Sequence, residues 1–227
     1  MLQINVLSLF PNLFTEHLNN LPFKRAIDKK IIDVKIWNLR DYALDAYGTV
    51  DDKPYGGGVG MLLMIEPIYN ALTDILGKDF DKHKEKNGQV IVLSPRGKTF
   101  TQKLAQDFTA EQKITFICGR YEGMDARIEE YFATDVISVG NYVVSGGELP
   151  ALTIMESITR LMPEVLEKSE ATKIESFSEG DNIEYSQYTR PEDFKGYKVP
   201  KILLSGNHKE ISQWRNNGQT NPKRTES

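Results

Sequence analysis

Three glycine-bearing segments hold the residue types that could cradle a small organic ligand: PRG at 95–97, GRYEG at 119–123 and GNYVVSGGELP at 140–150. Glycine lets backbone N–H and C=O groups come close to a ligand and adopts positive φ without strain. One such loop would read as an ordinary turn. Three in succession, each following an apolar run, read as the walls of one site.

Several familiar chemistries are absent. Gly97-Lys98-Thr99 resembles the end of a phosphate-binding P-loop, but the required earlier glycine is replaced by Val92. The glycines at 56–60 do not fit GxGxxG and have no strand before them, so a dinucleotide site is not supported. Ser145 lacks the preceding glycine of a nucleophile elbow. His17, His83 and His208 are scattered, and Cys118 is the only cysteine. Neither an intramolecular disulfide nor a cysteine-rich metal site can form.

The elements that must position these loops follow from periodicity. Apolar runs at 4–10, 31–37, 89–94, 113–118 and 135–140 predict strands. Helical patterns occupy 12–29, 66–77, a stretch from 99, a short stretch after GRYEGMDAR, and a stretch after 150. In that last helix Ala151, Ile154, Ile158 and Leu161 face inward, and Pro163 ends it. Strands alternating with helices predict an α/β domain with a mostly parallel sheet. In such a sheet ligands bind beyond the carboxyl ends of the strands, which is where the three loops fall. Residues 78–88 read as a charged surface loop, 164–180 as a polar linker, and the remainder as a small, loop-rich, partly helical module.

The chain has 227 residues and a formal net charge of -4. It is long enough to bury a core without disulfides. It shows neither a secretory leader nor an apolar run of spanning length, which predicts a cytoplasmic protein without a membrane partner. The net charge argues weakly against nucleic acid. The segment beyond 181 is slightly basic and the rest acidic, and local patches decide phosphate binding.

Six ordered motifs carry a family resemblance. DDKPYGGGVGM at 51–61, LSPRG at 93–97, ICGRYEGMDAR at 117–127, VGNYVVSGGELP at 139–150, YTRPE at 188–192 and LLSGNHKEISQWR at 203–215 resemble the bacterial tRNA (guanine-N1)-methyltransferases of the TrmD family. The resemblance covers nearly the whole chain. It implies a SPOUT-type α/β fold with a deep trefoil knot, an exception to the rule that chains do not thread loops. It divides the chain into a catalytic and cofactor-binding domain over 1–163, a linker over 164–180 and a small, mainly helical tRNA-binding domain over 181–227. The NPKRTES ending falls early for the family, so a final helix is expected to be missing or shortened. The resemblance further implies a homodimer with active sites between subunits, S-adenosylmethionine as methyl donor, and a tRNA substrate with guanosine at position 37 preceded by a second guanosine.

Carried over residue by residue, the resemblance implies a donor pocket of Leu93, Ser94 and Pro95, then Gly119, Tyr121 and Glu122, then Val139, Gly140, Tyr142, Val144, Gly146 and Gly147. It assigns Arg160 to stabilise guanine O6 and gives the general base to the position of Glu175, where the family has Asp. The longer side chain matters, because a displacement on the order of 1 Å can cost about a hundredfold in rate. The alternatives are that Glu175 is a solvated linker carboxylate, or that Asp181 serves. Glu122 is implied to contact the guanine or help position Mg2+; otherwise it pairs with Arg120 or Arg127. Tyr188 and Trp214, with Tyr121, are candidates to contact the flipped base, against core packing for Trp214. Asp51 and Asp52 are implied to sit at a dimer interface near the other subunit's site, against a plain surface loop. Two rival readings remain: another knotted RNA methyltransferase acting on rRNA or ribose, which YTRPE and SGNH disfavour, and a binding module that has lost its base.

Overall fold

The computed structural model describes residues 1–82, 86–167, 171–178, 180 and 182–217. The chain divides into two compact units, Met1–Glu167 and Lys168–Ser227.

The first unit is built on five strands: β1 (Leu2–Ser8), β2 (Ile32–Asn38), β5 (Gln89–Thr99), β6 (Lys113–Cys118) and β7 (Asp135–Ser138). They lie in the order β2-β1-β6-β5-β7, and every pairing is parallel. The strands read as continuous apolar runs because both faces of the sheet are covered. The period-2 alternation of a strand sorts their side chains into two cores. Leu2, Ile4, Val6, Ile91, Leu93, Ile114, Phe116 and Ile137 pack on one face. Leu7, Val90, Val92 and Ile117 pack on the other.

The first core is closed by α1 (Asn12–Leu18), α2 (Phe23–Asp28), α4 (Gln102–Phe108) and α5 (Glu148–Leu161), through Phe14, Phe23, Phe108, Ala151, Ile154 and Ile158. The second is closed by α3 (Ile65–Leu76) through Ile68, Ala71 and Leu72, and by Leu39 of a short 3-10 turn. The helix expected over 12–29 is two helices. Pro22 lacks an N–H and disfavours helical backbone at Leu21, so the chain breaks there. Leu161, expected inside, is only partly buried, because α5 ends at that residue. Between α3 and the sheet's next strand, His83 lies outside the described residues. Two minor strands, β3 (Asp51–Asp52) and β4 (Leu62–Leu63), pair antiparallel.

β5 departs from its sequence reading. It was expected to stop at Ser94, yet it runs to Thr99. It meets β7 twice: Leu93 pairs with Ile137, and so does Lys98. Residues 94–97 are therefore a bulge in a strand held at both ends, and the Lys98 ammonium adds an ion pair to Asp135. Gly97 is required by this crossing. A Cβ on it would lie 2.5 Å from the backbone of Val136 and Ile137, which cannot move without breaking the ladder.

The segment expected to be a linker is partly structural. Val165 is 1% exposed, and Arg25 donates to its carbonyl at 3.0 Å and pairs with Glu167 at 3.0 Å. Lys29 donates to the Glu164 carbonyl. Residues up to 167 are thus bound to the first unit. The second unit contains α6 (Ala171–Ile174), a hairpin of β8 (Asp193–Phe194) and β9 (Tyr197–Lys198), α7 (Lys201–Leu204) and α8 (His208–Asn217). The NPKRTES ending lies outside the described residues.

Replacing Gly97 with Ala should cost about 1–3 kcal/mol of stability, as overpacking against an immobile backbone does. Gly119→Ala, whose new methyl would meet nothing closer than 3.4 Å, should be nearly neutral. Urea midpoints of the two variants check the contrast.

Candidate functional site

The loops after β5, β6 and β7 line one cavity of about 540 Å³ at the carboxyl ends of the strands. It lies at the point where the chain reverses direction across the sheet, since β6 inserts between β1 and β5 while β7 goes to β5's other side. Leu93, Ser94 and Pro95, with Gly119, Tyr121 and Glu122, and with Val139, Gly140, Tyr142, Val144, Gly146 and Gly147, all border it. The residues assigned to a donor pocket are thus brought together. Arg96 and Glu129 also border it and form an ion pair at 3.2 Å.

Each wall is fixed by local bonding. The first is the β5 bulge. The second, 119–123, is stitched to the β4 segment: Glu122 N donates to Met61 O at 3.1 Å, Leu63 N to Gly123 O at 3.0 Å, and Asp125 N to Leu63 O at 3.0 Å. Tyr121 within it has φ of 60°, a left-handed backbone unusual for a large side chain. Burial first, and then the nearby Asp51 carboxylate, push the pKa of its phenol up, while the Arg40 guanidinium opposes the shift. Asp51 thus lies next to a residue of the second wall. Asp52 does not reach it: its carboxylate caps the N–H of Lys53 at 2.7 Å.

The third wall is tied to the second by an ion pair, built on a buried carboxylate, that the sequence reading did not select. Glu148, the first residue of α5, is 1% exposed. It accepts from Arg120 Nε at 2.9 Å and from the Ser8 hydroxyl at 2.8 Å. The Arg120 guanidinium also donates to Ser145 O at 3.3 Å and lies 4.4 Å from the centroid of the Phe10 ring. Backbone joins the same loops through an Arg120–Gly146 bridge and a Gly147 N to Gly119 O bond of 2.8 Å. Gly146 is glycine because a Cβ would collide with Arg120 Nε and lie 2.6 Å from a Glu148 oxygen. A usable signal was present in the sequence: an acid directly after Gly-Gly at a helix start, with an Arg directly after a glycine in the neighbouring loop.

Glu122 does not pair with Arg120 or Arg127. Arg120 is engaged by Glu148, and Arg127 by Asp125 at 2.6 Å. The Glu122 side chain lies over Gly60, where any Cβ would strike it.

Of the remaining assigned residues, Arg160 belongs to the first unit, and Glu175, Tyr188 and Trp214 belong to the second. Arg160 is in the last turn of α5, roughly 18 Å along the helix from Glu148 at 1.5 Å per residue. Glu175 belongs to the second unit, just after α6, in a turn closed by a Ser178 N to Glu175 O bond of 3.2 Å and tied to 182–184 through Phe177 and Ser176. Asp181 lies outside the described residues. Tyr188 and Trp214 border a second cavity, within the second unit, with ring centroids 6.4 Å apart. Trp214 also packs edge-on to Tyr185. Among the described residues no helix is long and apolar enough to cross a membrane.

An all-parallel α/β sheet with a ligand cavity at the switch point defines the class. Residues 2–227 match the family described as tRNA (Guanine-1)-methyltransferase TrmD, and the chain belongs to that family. It is 47% identical over 214 residues to the tRNA (guanine-N(1)-)-methyltransferase of Staphylococcus carnosus, covering 94% of this chain and 84% of that protein. It is 45% identical over 215 residues to the protein of the same name from Clostridioides difficile, covering 94% and 90%. A Citrifermentans bemidjiense protein of that name is 44% identical over 218 residues, covering 96% and 85%.

Cys118 ends β6 beneath the cavity and is 2% exposed. Burial first, and then the Glu148 carboxylate, hold its thiol pKa well above the ordinary value. The folded protein therefore keeps a proton that the unfolded chain releases above about pH 8.5. The contribution is intact below that pH and declines above it, by up to about 1.4 kcal/mol per pH unit. The cost of Cys118→Ala, read from urea unfolding, should shrink by about 1 kcal/mol between pH 8.5 and 9.5, since the unfolded thiol is only half ionised at the lower pH.

Proposed function

We propose that this chain transfers a methyl group from S-adenosylmethionine to N1 of guanosine 37 of tRNA, beside the anticodon, in the cytoplasm. The observation that carries the reading is the convergence of three glycine-bearing loops on one cavity in a chain of the TrmD family. Its volume falls within the range of about 300–1,000 Å³ typical of small-molecule sites. The alternative of a knotted enzyme for rRNA or ribose is not favoured by the family match.

S-adenosylmethionine supplies the methyl group on a sulfonium. Leu93, Val139, Tyr142 and Val144 offer apolar wall, while backbone groups of 93–95, 119–122 and 140–147 offer donors and acceptors that read adenine and ribose. Guanine N1 carries a proton at neutral pH and is a poor nucleophile. In this reading the Glu175 carboxylate takes that proton and the Arg160 guanidinium stabilises the negative charge that develops at O6. Glu122 and Tyr121 border the same cavity, and in this reading they face the target base. Tyr188, with the Trp214 face beside it, and the second unit as a whole would hold tRNA. Among the described residues no three His, Cys, Asp or Glu are grouped to hold the Mg2+ that the resemblance implies.

The distance between Arg160 and its own chain's cavity supports a homodimer, in which a second copy brings its Arg160 to the first copy's donor. Tyr142, Val143, Val144 and Leu149 are exposed at the cavity rim and offer apolar surface to that copy. The deep trefoil knot belongs to the same reading, supported by the double pairing of β5 with β7 and the backbone crossing at Gly97.

Two experiments test this. Tritiated S-adenosylmethionine should label a tRNA transcript carrying guanosines at 36 and 37, and mass mapping should find the methyl on N1 of 37. Label on ribose or on rRNA instead rejects the reading. Glu175→Gln should still bind donor yet lose about a hundredfold or more in single-turnover rate. Second, Arg160→Ala and a donor-blocked Ser94→Trp variant should each be inactive alone, while co-expressed mixed dimers recover activity. Absence of recovery means each chain works with its own Arg160.

A further inference from the structure

We infer that the Arg120–Glu148 pair is a latch that sets the spacing of the second and third cavity walls, making Arg120 a positioning residue for the methyl donor. The inference rests on the reading of that cavity as the donor site.

The geometry points to more than a buried ion pair. Burying a charge pair is weak support for stability, because desolvation offsets most of the attraction. This pair nonetheless joins four separate parts of the chain: Ser8 at the end of β1 with Phe10 just beyond it, Arg120 after β6, Ser145 in the third loop, and Glu148 at the start of α5. Arg120 does so with a planar fork, giving Nε to Glu148, Nη1 to Ser145 O and one face to Phe10. Lysine, with a point charge on a flexible stem, cannot reproduce all three. The next residue is Tyr121, whose left-handed backbone persists only where neighbours fix it. On one side it is fixed by the 61–63 segment, and on the other by Arg120. Loss of the latch frees the second side. Tyr121 and Glu122 can then relax away from 140–147, and the cavity between those loops loses its set width. Gly146 marks the dependence from the opposite wall, since its lack of a side chain is what lets the pair pass over the loop.

The test compares the wild type with Arg120→Lys and with Arg120→Gln/Glu148→Gln. The double variant leaves no unpaired buried charge and keeps an oxygen for Ser8. Arg120→Lys keeps the charge, so it stays informative if the double variant does not fold. Measurements are the KM for S-adenosylmethionine, the KM for tRNA, and amide hydrogen exchange with and without S-adenosylhomocysteine. In both variants the donor KM should rise about tenfold, the scale of losing a charge-assisted hydrogen bond, while the tRNA KM stays within about twofold. Exchange should quicken in 119–123 and 140–147 and stay unchanged in α3. Unchanged donor KM and exchange in the variants overturn the latch. A fall in melting temperature with wild-type donor KM also overturns it, because a purely structural role does that. If S-adenosylhomocysteine protects neither loop in the wild type, the donor-site reading fails first, and the inference with it.

Discussion

The structure depends on the parallel ladder between β5 and β7, which is interrupted after Leu93 and resumed at Lys98. A ladder that stops and restarts on the same partner turns an ordinary strand end into a rigid arch. Ser94, Pro95 and Arg96 stand on that arch at the edge of the cavity, although a free loop would spread them over many conformations. The arch also fixes where β7 ends, and so where the third loop begins. The second wall then follows from β6, which lies on the other side of β5.

The two cores serve this arrangement unequally. The core under α5 is continuous from Leu2 to Ile158 and reaches Cys118 and Ala151, directly beneath the second and third walls. The core under α3 supports the minor β3-β4 pair, and through it the backbone stitches to 122–125. The second wall is thus supported from both faces of the sheet. That explains how a residue such as Tyr121 can be held with positive φ beside a cavity that would otherwise let it relax.

Much of this was legible in the residues. Strand positions followed from apolar runs, with β6 matching residue for residue, because a doubly covered sheet leaves few polar interruptions. The loops of the cavity were legible because glycine is informative where backbones approach closely. Three things were not. The continuation of β5 through Pro95 and Gly97 was hidden, since PRGK has the composition of a turn and only its partner β7 makes it strand. The break at Pro22 was overridden by an apolar helical pattern on both sides. The Arg120–Glu148 pair was harder to see, because charges are ordinarily read as solvated, and an acid after Gly-Gly marks a helix start without showing that its side chain is buried. The roles of Arg160 and Glu175 came from resemblance. The cavity alone would not have selected them, because Arg160 stands at the far end of α5 and Glu175 in the other unit.

The arch of β5 constrains length as well as composition. Side chains alternate faces along a strand, so one residue inserted or removed between Leu93 and Lys98 would turn Lys98 and Thr99 to opposite faces. It would separate Lys98 from Asp135 and take the open space at Gly97 away from the crossing. Amino acids at 94–96 can be exchanged one for another with local effect, but their number cannot change. Insertions that other α/β proteins accept after a sheet strand are closed to this position, and diversification of the site is confined to side chains.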